Sequence, residues 1–201
     1  MPSTAVKRLF DVFLAVLVAV PALPIMLLEA LAIRLDSRGP ALFSQERIGL
    51  GGRPFRIHKF RTMVLPEYRL DAGGRVRPDE ECLTRLGRFL RKTSLDELPQ
   101  LWCVLRGDMS FVGPRPTLRF QVERYDAFQR RRLEVKPGIT GLAQIRGRNS
   151  LSWEEKIRYD VEYVDTRSFL GDLRILAATV RIVLAGKDIE FAKHDRISRL
   201  D

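Results

Sequence analysis

The chain has 201 residues, with 35 Lys and Arg against 25 Asp and Glu and a formal net charge of +10. This length corresponds to one domain with a sizeable core, and the charge predicts a polyanionic partner such as nucleic acid, anionic lipid or a nucleotide diphosphate. The two cysteines and two histidines are scattered along the chain, which excludes a CxxC motif and a recognisable zinc site and indicates a reducing compartment.

The first predicted element is an almost wholly apolar run from Val12 to Ile33, in which Glu29 is the only charge. The run is long enough to span a bilayer, and a soluble core helix this apolar would need a larger protein around it. A secretory signal peptide is disfavoured because the run continues well past any plausible cleavage near Ala22. A transmembrane helix and a re-entrant helical hairpin remain.

Two prolines favour the re-entrant hairpin. Pro21 and Pro24 lie in the middle of the run, and each lacks an N–H and clashes with the preceding turn, so a sharp kink is expected. Basic residues flank both ends, so the positive-inside bias gives no reason to send either end across the bilayer. We therefore expect both ends on the cytoplasmic side, although carbonyls freed at the kink would need partners at membrane depth.

A β-hairpin and an amphipathic helix are predicted next. Two short extended runs surround Gly49-Leu50-Gly51-Gly52, and because these glycines match neither GxGxxG nor a P-loop, they indicate a turn. A helix over Glu80–Lys92 would have one apolar face and one basic face, either solvated or lying at a membrane surface. Its predicted apolar face consists of Leu83, Leu86, Phe89 and Leu90.

Two further helices are predicted near the end of the chain. Ser152 and Glu155 are typical of a capping box that begins a helix towards Val164. A helix over Leu170–Leu184 carries a broad apolar stripe and only a narrow polar strip. It is therefore either a core helix or an interfacial helix lying on lipid.

Two adjacent carboxylates, Asp96 and Glu97, stand in the segment SLDELPQL of this otherwise basic chain. The simpler interpretation is a capping box formed by Ser94 and Glu97, with Asp96 favoured by the helix dipole. The alternative is that a helix N-terminus surrounded by arginines binds a phosphate. With a divalent metal to screen repulsion, an ionised Asp can attack phosphorus while the Glu holds metal or steers protons. These residues alone favour a simple cap.

The longer segment from Thr93 to Pro116, TSLDELPQLWCVLRGDMSFVGPRP, resembles the signature block of the bacterial sugar transferases, the monotopic phosphoglycosyl transferases. Similar motifs occur at Lys7–Asp11, Phe55–Met63 and Lys136–Asn149. The resemblance therefore covers nearly the whole chain.

This resemblance implies a mixed α/β, mainly helical fold in two parts. Residues 1–38 would form a re-entrant membrane helix with a central break, and residues 39–201 a catalytic domain at the membrane interface, with a short β-hairpin and amphipathic interfacial helices around a small catalytic core. The family's helix breaks at a Ser-Pro pair, whereas this chain has Leu23-Pro24, so Pro24 retains the break without the hydroxyl. The implied location is the cytoplasmic face of the bacterial inner membrane, and a homo-oligomer is allowed.

The resemblance also implies a reaction and its residues. The family transfers a phospho-sugar from a UDP-sugar to a polyprenol phosphate, such as undecaprenyl phosphate, giving a polyprenyl diphospho-sugar and UMP and initiating glycan assembly. Asp96 matches the catalytic aspartate and Glu97 its partner, the pair associated with Mg²⁺. Ionised Asp96 is expected to form a covalent phosphosugar intermediate. Residues expected to bind substrate phosphates are Lys59, Arg88, Arg115 and Arg148.

Two other functions also fit parts of the sequence. The basic charge and the Arg-rich segment Gln129–Lys136 would fit a membrane-anchored nucleic-acid-binding protein, but the chain has no zinc-finger, RRM or KH signature, so no nucleic acid is expected. A membrane scaffold would explain the apolar run but not the carboxylate and loop motifs. The sequence does not identify the sugar; specificity is expected in segments such as Pro66–Pro78 and the tail after Gly186.

Overall fold

The computed structural model describes residues 4–65, 78, 81–147 and 150–185. Its α-helices are α1 (Thr4–Asp36), α2 (Arg85–Thr93), α3 (Leu101–Arg106), α4 (Arg119–Glu123), α5 (Ala127–Arg130), α6 (Leu142–Arg146), α7 (Trp153–Thr166) and α8 (Phe169–Ala185). The strands are β1 (Leu42–Ile48), β2 (Pro54–Phe60), β3 (Ser110–Val112) and β4 (Gly138–Thr140), and 3₁₀ helices cover Leu50–Gly52, Leu95–Gln100 and Arg131–Glu134. The mainly helical class is confirmed.

The predicted hairpin is confirmed as an antiparallel pair of β1 and β2, with Leu42 opposite Phe60 and Ile48 opposite Pro54. Its turn is tight because Gly51 and Gly52 adopt φ values of 63° and 79°, which glycine reaches without strain. The parallel pairing of β3 with β4 is a second sheet that the sequence did not indicate, since each strand has only three residues.

The main core lies between the parallel sheet, α3 and the last two helices. Its buried side chains include Leu101, Val104, Met109, Phe111, Val112, Tyr163, Val164 and Ile175. Strand β2 contributes Ile57 and α1 contributes Ala15 to the same cluster. The hairpin, the membrane-type helix and the C-terminal helices therefore share one core.

Both predicted C-terminal helices are confirmed as α7 and α8. The Ser152 hydroxyl accepts a hydrogen bond from the Glu155 amide at 3.2 Å, and the Glu155 carboxylate accepts one from the Ser152 amide at 2.7 Å, so the capping box of α7 is confirmed. Helix α8 buries Ile175 in the core but leaves Val180 and Leu184 exposed. One face of α8 therefore packs in the core, and the other face is apolar and exposed.

Helix α2 begins later than predicted. The Thr84 hydroxyl accepts a hydrogen bond from the Gly87 amide at 2.9 Å and starts the helix at Arg85, while Leu83 precedes it and pairs with Met63 in a β-bridge. Of the four residues predicted for the apolar face, Leu83 and Leu90 are buried and Leu86 packs against the same cluster as Leu90. Phe89 is 55% exposed and is the one of the four that points away from the core.

Helix α1 has an inside-out distribution of side chains. Its most apolar window has a mean hydropathy of 2.4, and only 17% of that window is buried. Exposed apolar residues include Leu9, Phe13, Leu17, Val20, Leu27, Leu28 and Leu31, whereas the acidic Asp11 and Glu29 are buried. Apolar groups facing outward and charges facing the protein are typical of a segment in contact with lipid, which supports the expected membrane association.

The helical backbone of α1 continues through both prolines without interruption. The helix is therefore not interrupted at Pro24, where a break was predicted. Pro24 nevertheless removes one backbone hydrogen bond and can bend the helix. The re-entrant path of α1, like the boundary between residues 1–38 and 39–201, stays a prediction.

Both ends of α1 are fastened to the rest of the protein. At the first end, Lys7 Nζ pairs with Asp172 of α8 at 2.5 Å, and Asp11 accepts hydrogen bonds from the hydroxyl and amide of β3 residues Ser110 and Phe111. At the other end, the Arg61 guanidinium donates to the carbonyls of Ser37, Arg38 and Pro40 at 2.6–2.8 Å. A helix that crossed the bilayer would have to carry one of these contacts to the far side, so the contacts favour both ends on one face.

Cysteines introduced at Ala5 and Arg38 should both react with an impermeant thiol reagent in inverted membrane vesicles, and neither should react in right-side-out vesicles. The physical reason is that the ends of α1 contact the same body. The unsubstituted protein is the control, because Cys82 and Cys103 are buried. Labelling of the two positions from opposite sides would establish a transmembrane α1.

Candidate active site

The two adjacent carboxylates lie on the 3₁₀ helix Leu95–Gln100, which packs against β2, α1 and α2. The predicted capping box is wrong. Ser94 ends α2 in the left-handed conformation with a φ of 58°, and its side chain makes no capping hydrogen bond. The Glu97 side chain turns towards two cations, which offer stronger, charge-assisted hydrogen bonds than a backbone amide does.

Glu97 joins Lys59 and Arg115 in one ion-paired group. Its Oε1 accepts a hydrogen bond from Lys59 Nζ at 2.7 Å, and Arg115 donates from both terminal nitrogens, one to each carboxylate oxygen. Burial alone would raise the pKa of Glu97, but Arg115 and Lys59 together hold it well below its usual range. Three residues predicted for the site are therefore brought together, and Glu97 stays ionised.

Asp96 is in a different environment. Its side chain is only 8% exposed, and within the described part of the chain its carboxylate accepts no hydrogen bond and forms no ion pair. Burial, followed by the negative charge of Glu97, raises the pKa of Asp96 to about 6, although Lys59, Arg115 and Arg91 act in the opposite direction. Adjacent carboxylates held in such different environments are suited to different tasks, and Asp96 is the one left free to react.

Arg115 is held by the architecture of the parallel sheet. It lies in the Pro-Arg-Pro loop after β3, where an added Cβ on Gly113 would lie 2.3 Å from the Lys136 carbonyl oxygen. On the far side, the buried Arg132 donates to the Arg115 carbonyl at 3.0 Å and pairs with the buried Asp160. The loop is thus fixed by a close backbone approach and by a buried ion pair.

The other two predicted phosphate-binding residues are not placed at this centre. Arg88 lies exposed on α2, and the described residues provide no side-chain hydrogen bond or ion pair that joins it to Asp96 or Glu97. Arg148 lies outside the described residues, as do residues 66–77 and the tail after Gly186 where specificity is expected. Their roles stay predictions.

Arg47 is a cation of this site that sequence reasoning missed. The hairpin register pairs it with Phe55, so the alternation of strand residues places Arg47 and Lys59 on the same face of the hairpin. Burial, together with the positive charge of Arg115, lowers the pKa of Arg47, and its Nε is buried without a hydrogen-bond partner in the described chain. The register of the hairpin was the signal that could have identified it.

The family resemblance implies Mg²⁺ at Asp96 and Glu97, and the two carboxylates fit a metal unequally. Both Glu97 oxygens are engaged by Lys59 and Arg115, whereas Asp96 is without a partner among the described side chains. The two carboxylate oxygens of Glu29 on α1 are also buried and have no hydrogen-bond partner in the described chain, and Glu29 interacts electrostatically with Asp96. Carboxylate oxygens are the ligands that Mg²⁺ takes in proteins. Asp96 can therefore serve as a ligand of the ion, whereas the Glu97 oxygens are already bound by Lys59 and Arg115.

A free buried carboxylate beside fixed cations, next to an apolar helix, is suited to chemistry on phosphates at a membrane surface. The family model for bacterial sugar transferases matches residues 2–186. The chain therefore belongs to the bacterial sugar transferase family and is a transferase. This membership leaves the nucleic-acid-binding and scaffold alternatives without support.

Individual relatives agree with this family. The chain is 50% identical over 188 residues to the uncharacterized sugar transferase EpsL of Bacillus subtilis, with 94% of this chain and 92% of that protein covered. It is 45% identical over 195 residues to the UDP-glucose:undecaprenyl-phosphate glucose-1-phosphate transferase of Caulobacter vibrioides, covering 92% and 73%. It is 37% identical over 196 residues to the undecaprenyl-phosphate galactose phosphotransferase of Salmonella typhimurium, covering 90% and 41%.

The Asp96→Asn variant should be more stable than the unsubstituted protein in EDTA above pH 7, by up to about 3 kcal/mol. The raised pKa means that between about pH 4 and 6 the folded state binds a proton that the unfolded state has lost, so ionisation of Asp96 destabilises the fold as pH rises. Thermal melts at pH 4.5 and 7.5 should show the difference shrinking at the lower pH. The Asp165→Asn variant, at an exposed carboxylate, is the control; a difference that does not change with pH would contradict the burial of a free Asp96.

The Gly113→Ala variant should lose on the order of 1–3 kcal/mol of stability and should lose transferase activity beyond that. A Cβ cannot lie 2.3 Å from the Lys136 carbonyl oxygen, so the loop must shift and carry Arg115 away from Glu97. The control is Gly171→Ala, where the Cβ meets only the rotatable Ser168 hydroxyl. Equal effects of the two substitutions on activity would show that the loop does not depend on this close approach.

Proposed function

We propose that the protein transfers a phospho-sugar from a UDP-sugar to a polyprenol phosphate, such as undecaprenyl phosphate, and releases UMP. The main observation behind this proposal is the buried carboxylate of Asp96, which has no partner among the described residues. It lies next to Glu97, which forms ion pairs with Lys59 and Arg115. The names of the Caulobacter and Salmonella relatives describe transfers of sugar phosphate to undecaprenyl phosphate, which supports the same reaction class here. The product would be a polyprenyl diphospho-sugar that initiates glycan assembly.

The cations provide binding energy for the diphosphate of the UDP-sugar. Arg115 is half-exposed, whereas the Lys59 side chain is 22% exposed, so Arg115 can reach an incoming phosphate while Lys59 stays at the base of the site. The planar guanidinium can bind two phosphate oxygens at once. Glu97 keeps both cations in place before the substrate arrives, so little reorganisation is needed when charge develops.

In the first step, an ionised Asp96 oxygen attacks the phosphorus that carries the sugar. The bond from this phosphorus to the bridging oxygen breaks, and UMP leaves with the electron pair. Because burial raises the pKa of Asp96 to about 6, its carboxylate is largely ionised at neutral pH and yet poorly solvated. The result is a phosphosugar ester on the aspartate, a covalent intermediate that divides the transfer into two displacements.

In the second step, an oxygen of the polyprenol phosphate attacks the phosphorus of this ester. The acyl phosphate bond breaks, Asp96 is regenerated, and a new phosphoanhydride replaces the one that was lost. Mg²⁺ bound at Asp96 would reduce the repulsion between the carboxylate and the phosphate oxygens. Lys59 and Arg115 serve the same purpose in both steps, because each step brings one anion against another.

The position of α1 explains how two such different substrates meet. Met26 and Ala30 on its inner side pack in the same cluster as Leu95, the residue before Asp96, while Leu27 and Leu31 point outward. A helix with this outer face buried in lipid would place Asp96 at headgroup depth. There it can meet a soluble nucleotide sugar and a lipid phosphate, at the cytoplasmic face of the inner membrane.

The test is UMP release by the purified protein in nanodiscs, screened over UDP-glucose, UDP-galactose, and UDP-linked N-acetyl and diacetamido sugars. Release from at least one donor should require both Mg²⁺ and undecaprenyl phosphate for multiple turnovers. The matching lipid product should appear in the organic phase. Failure with every donor, while the protein remains folded, would overturn the proposal.

The Asp96→Asn variant should abolish both turnover and trapping of the sugar-labelled protein adduct, since an amide is too weak a nucleophile to attack phosphorus. The Glu97→Gln variant keeps Asp96 but loosens Lys59 and Arg115, so it should form the adduct slowly rather than not at all. Both variants are measured with the labelled donor alone and then with acceptor added. Substantial turnover by Asp96→Asn would exclude Asp96 as the nucleophile.

A further inference from the structure

We infer that Glu29 of α1 is a ligand of the divalent cation that serves Asp96, so that the cation lies between the membrane helix and the catalytic segment. The starting point is the orientation of Glu29, which is only 7% exposed although its neighbours Leu27, Leu28 and Leu31 all face outward. An ionisable residue in a lipid-facing helix is costly and usually functional. The catalytic role of this cation rests on the proposed function, whereas its binding by Glu29 can be tested separately.

Neither carboxylate oxygen of Glu29 has a hydrogen-bond partner in the described chain, and the described salt bridges do not include it. A buried carboxylate without a partner is strongly unfavourable. A counter-charge from outside the polypeptide is therefore required, and the two available kinds are a proton and a metal ion.

Glu29 lies on the face of α1 that packs beside the catalytic segment. It lies three residues after Met26 and four before Ile33, the α1 side chains that pack in a cluster with Leu90 and Leu95. Residues at these spacings share one face of a helix. The negative charges of Glu29 and Asp96 repel each other, so the electrostatic interaction agrees with the packing in putting the two carboxylates near one another.

The cations around this site are engaged by other groups. Lys59 and Arg115 are bound to Glu97, and Arg91 donates from Nε to the Thr62 hydroxyl. Two carboxylates, with water and a substrate phosphate completing the coordination of the ion, form the kind of ligand set that Mg²⁺ takes. A single proton would neutralise only one of the two, so a divalent cation matches the charge better.

The experiment measures metal binding by the full-length protein in nanodiscs without substrates, by titration with Mn²⁺ followed by electron paramagnetic resonance. Glu29→Gln, which keeps the shape and removes the charge, should weaken Mn²⁺ binding by about tenfold or more. Glu97→Gln should weaken it less, and Glu46→Gln, at an exposed carboxylate on β1 paired with Arg119, should leave it unchanged. Binding by Glu29→Gln equal to that of the unsubstituted protein would overturn the inference.

Thermal melts keep the test decisive if the substitution perturbs folding. In EDTA, Glu29→Gln should melt at the same temperature as the unsubstituted protein or higher, because a repulsion is removed, and added MgCl₂ should no longer raise its Tm. A lower Tm in EDTA would show that the carboxylate has a structural partner within the protein and would overturn the metal role.

The outcome separates this inference from the proposed function. If the unsubstituted protein binds Mn²⁺ through Glu29 but releases no UMP from any UDP-sugar, the proposed reaction fails and the metal site stands. If UMP release requires Mg²⁺ and Glu29→Gln binds Mn²⁺ normally, the reaction stands and the inference about Glu29 fails.

Discussion

The ion-paired group of Glu97, Lys59 and Arg115 is the interaction on which the site depends. It joins the 3₁₀ helix, strand β2 and the loop after β3, three segments from distant parts of the chain. By occupying Glu97, it also leaves Asp96 as the member of the adjacent pair whose carboxylate has no partner among the described residues. Glu97 and Lys59 are largely buried, which strengthens their electrostatic interaction, so one constraint fixes the cations and leaves Asp96 as the acid proposed to react.

The parallel sheet holds Arg115 of this group in position. Strands β3 and β4 have only three residues each, but their pairing sets the start of the Pro-Arg-Pro loop. Asp11 of α1 accepts hydrogen bonds from Ser110 and Phe111 of β3. The same strand therefore connects the membrane helix to Arg115. A displacement at either end of α1 would reach the site through β3 or through the cluster around Leu95.

Several elements could be predicted because local patterns determine them: the hairpin from its glycine turn, α7 from its capping box and α8 from its apolar stripe. Asp96, Glu97, Lys59 and Arg115 could be named only through the family motifs, since adjacent carboxylates by themselves indicate a helix start. The side-chain partners of Glu97 come from tertiary contacts that no local pattern records. Arg47 and the inward turn of Glu29 likewise depend on strand register and helix packing, which single-sequence reasoning does not supply.

Helix α1 presents leucines outward and packs its inner face against the cluster that contains Leu95. With the outer face in lipid, as proposed, the bilayer is a structural component of the enzyme, because lipid takes the place of the protein that would otherwise cover that helix. Extraction into detergent replaces this covering by a softer and thinner one. On that proposal, the shape of the site beside α1 is set in part by the thickness and packing of the surrounding lipid, independently of how well the proposed polyprenol phosphate acceptor dissolves.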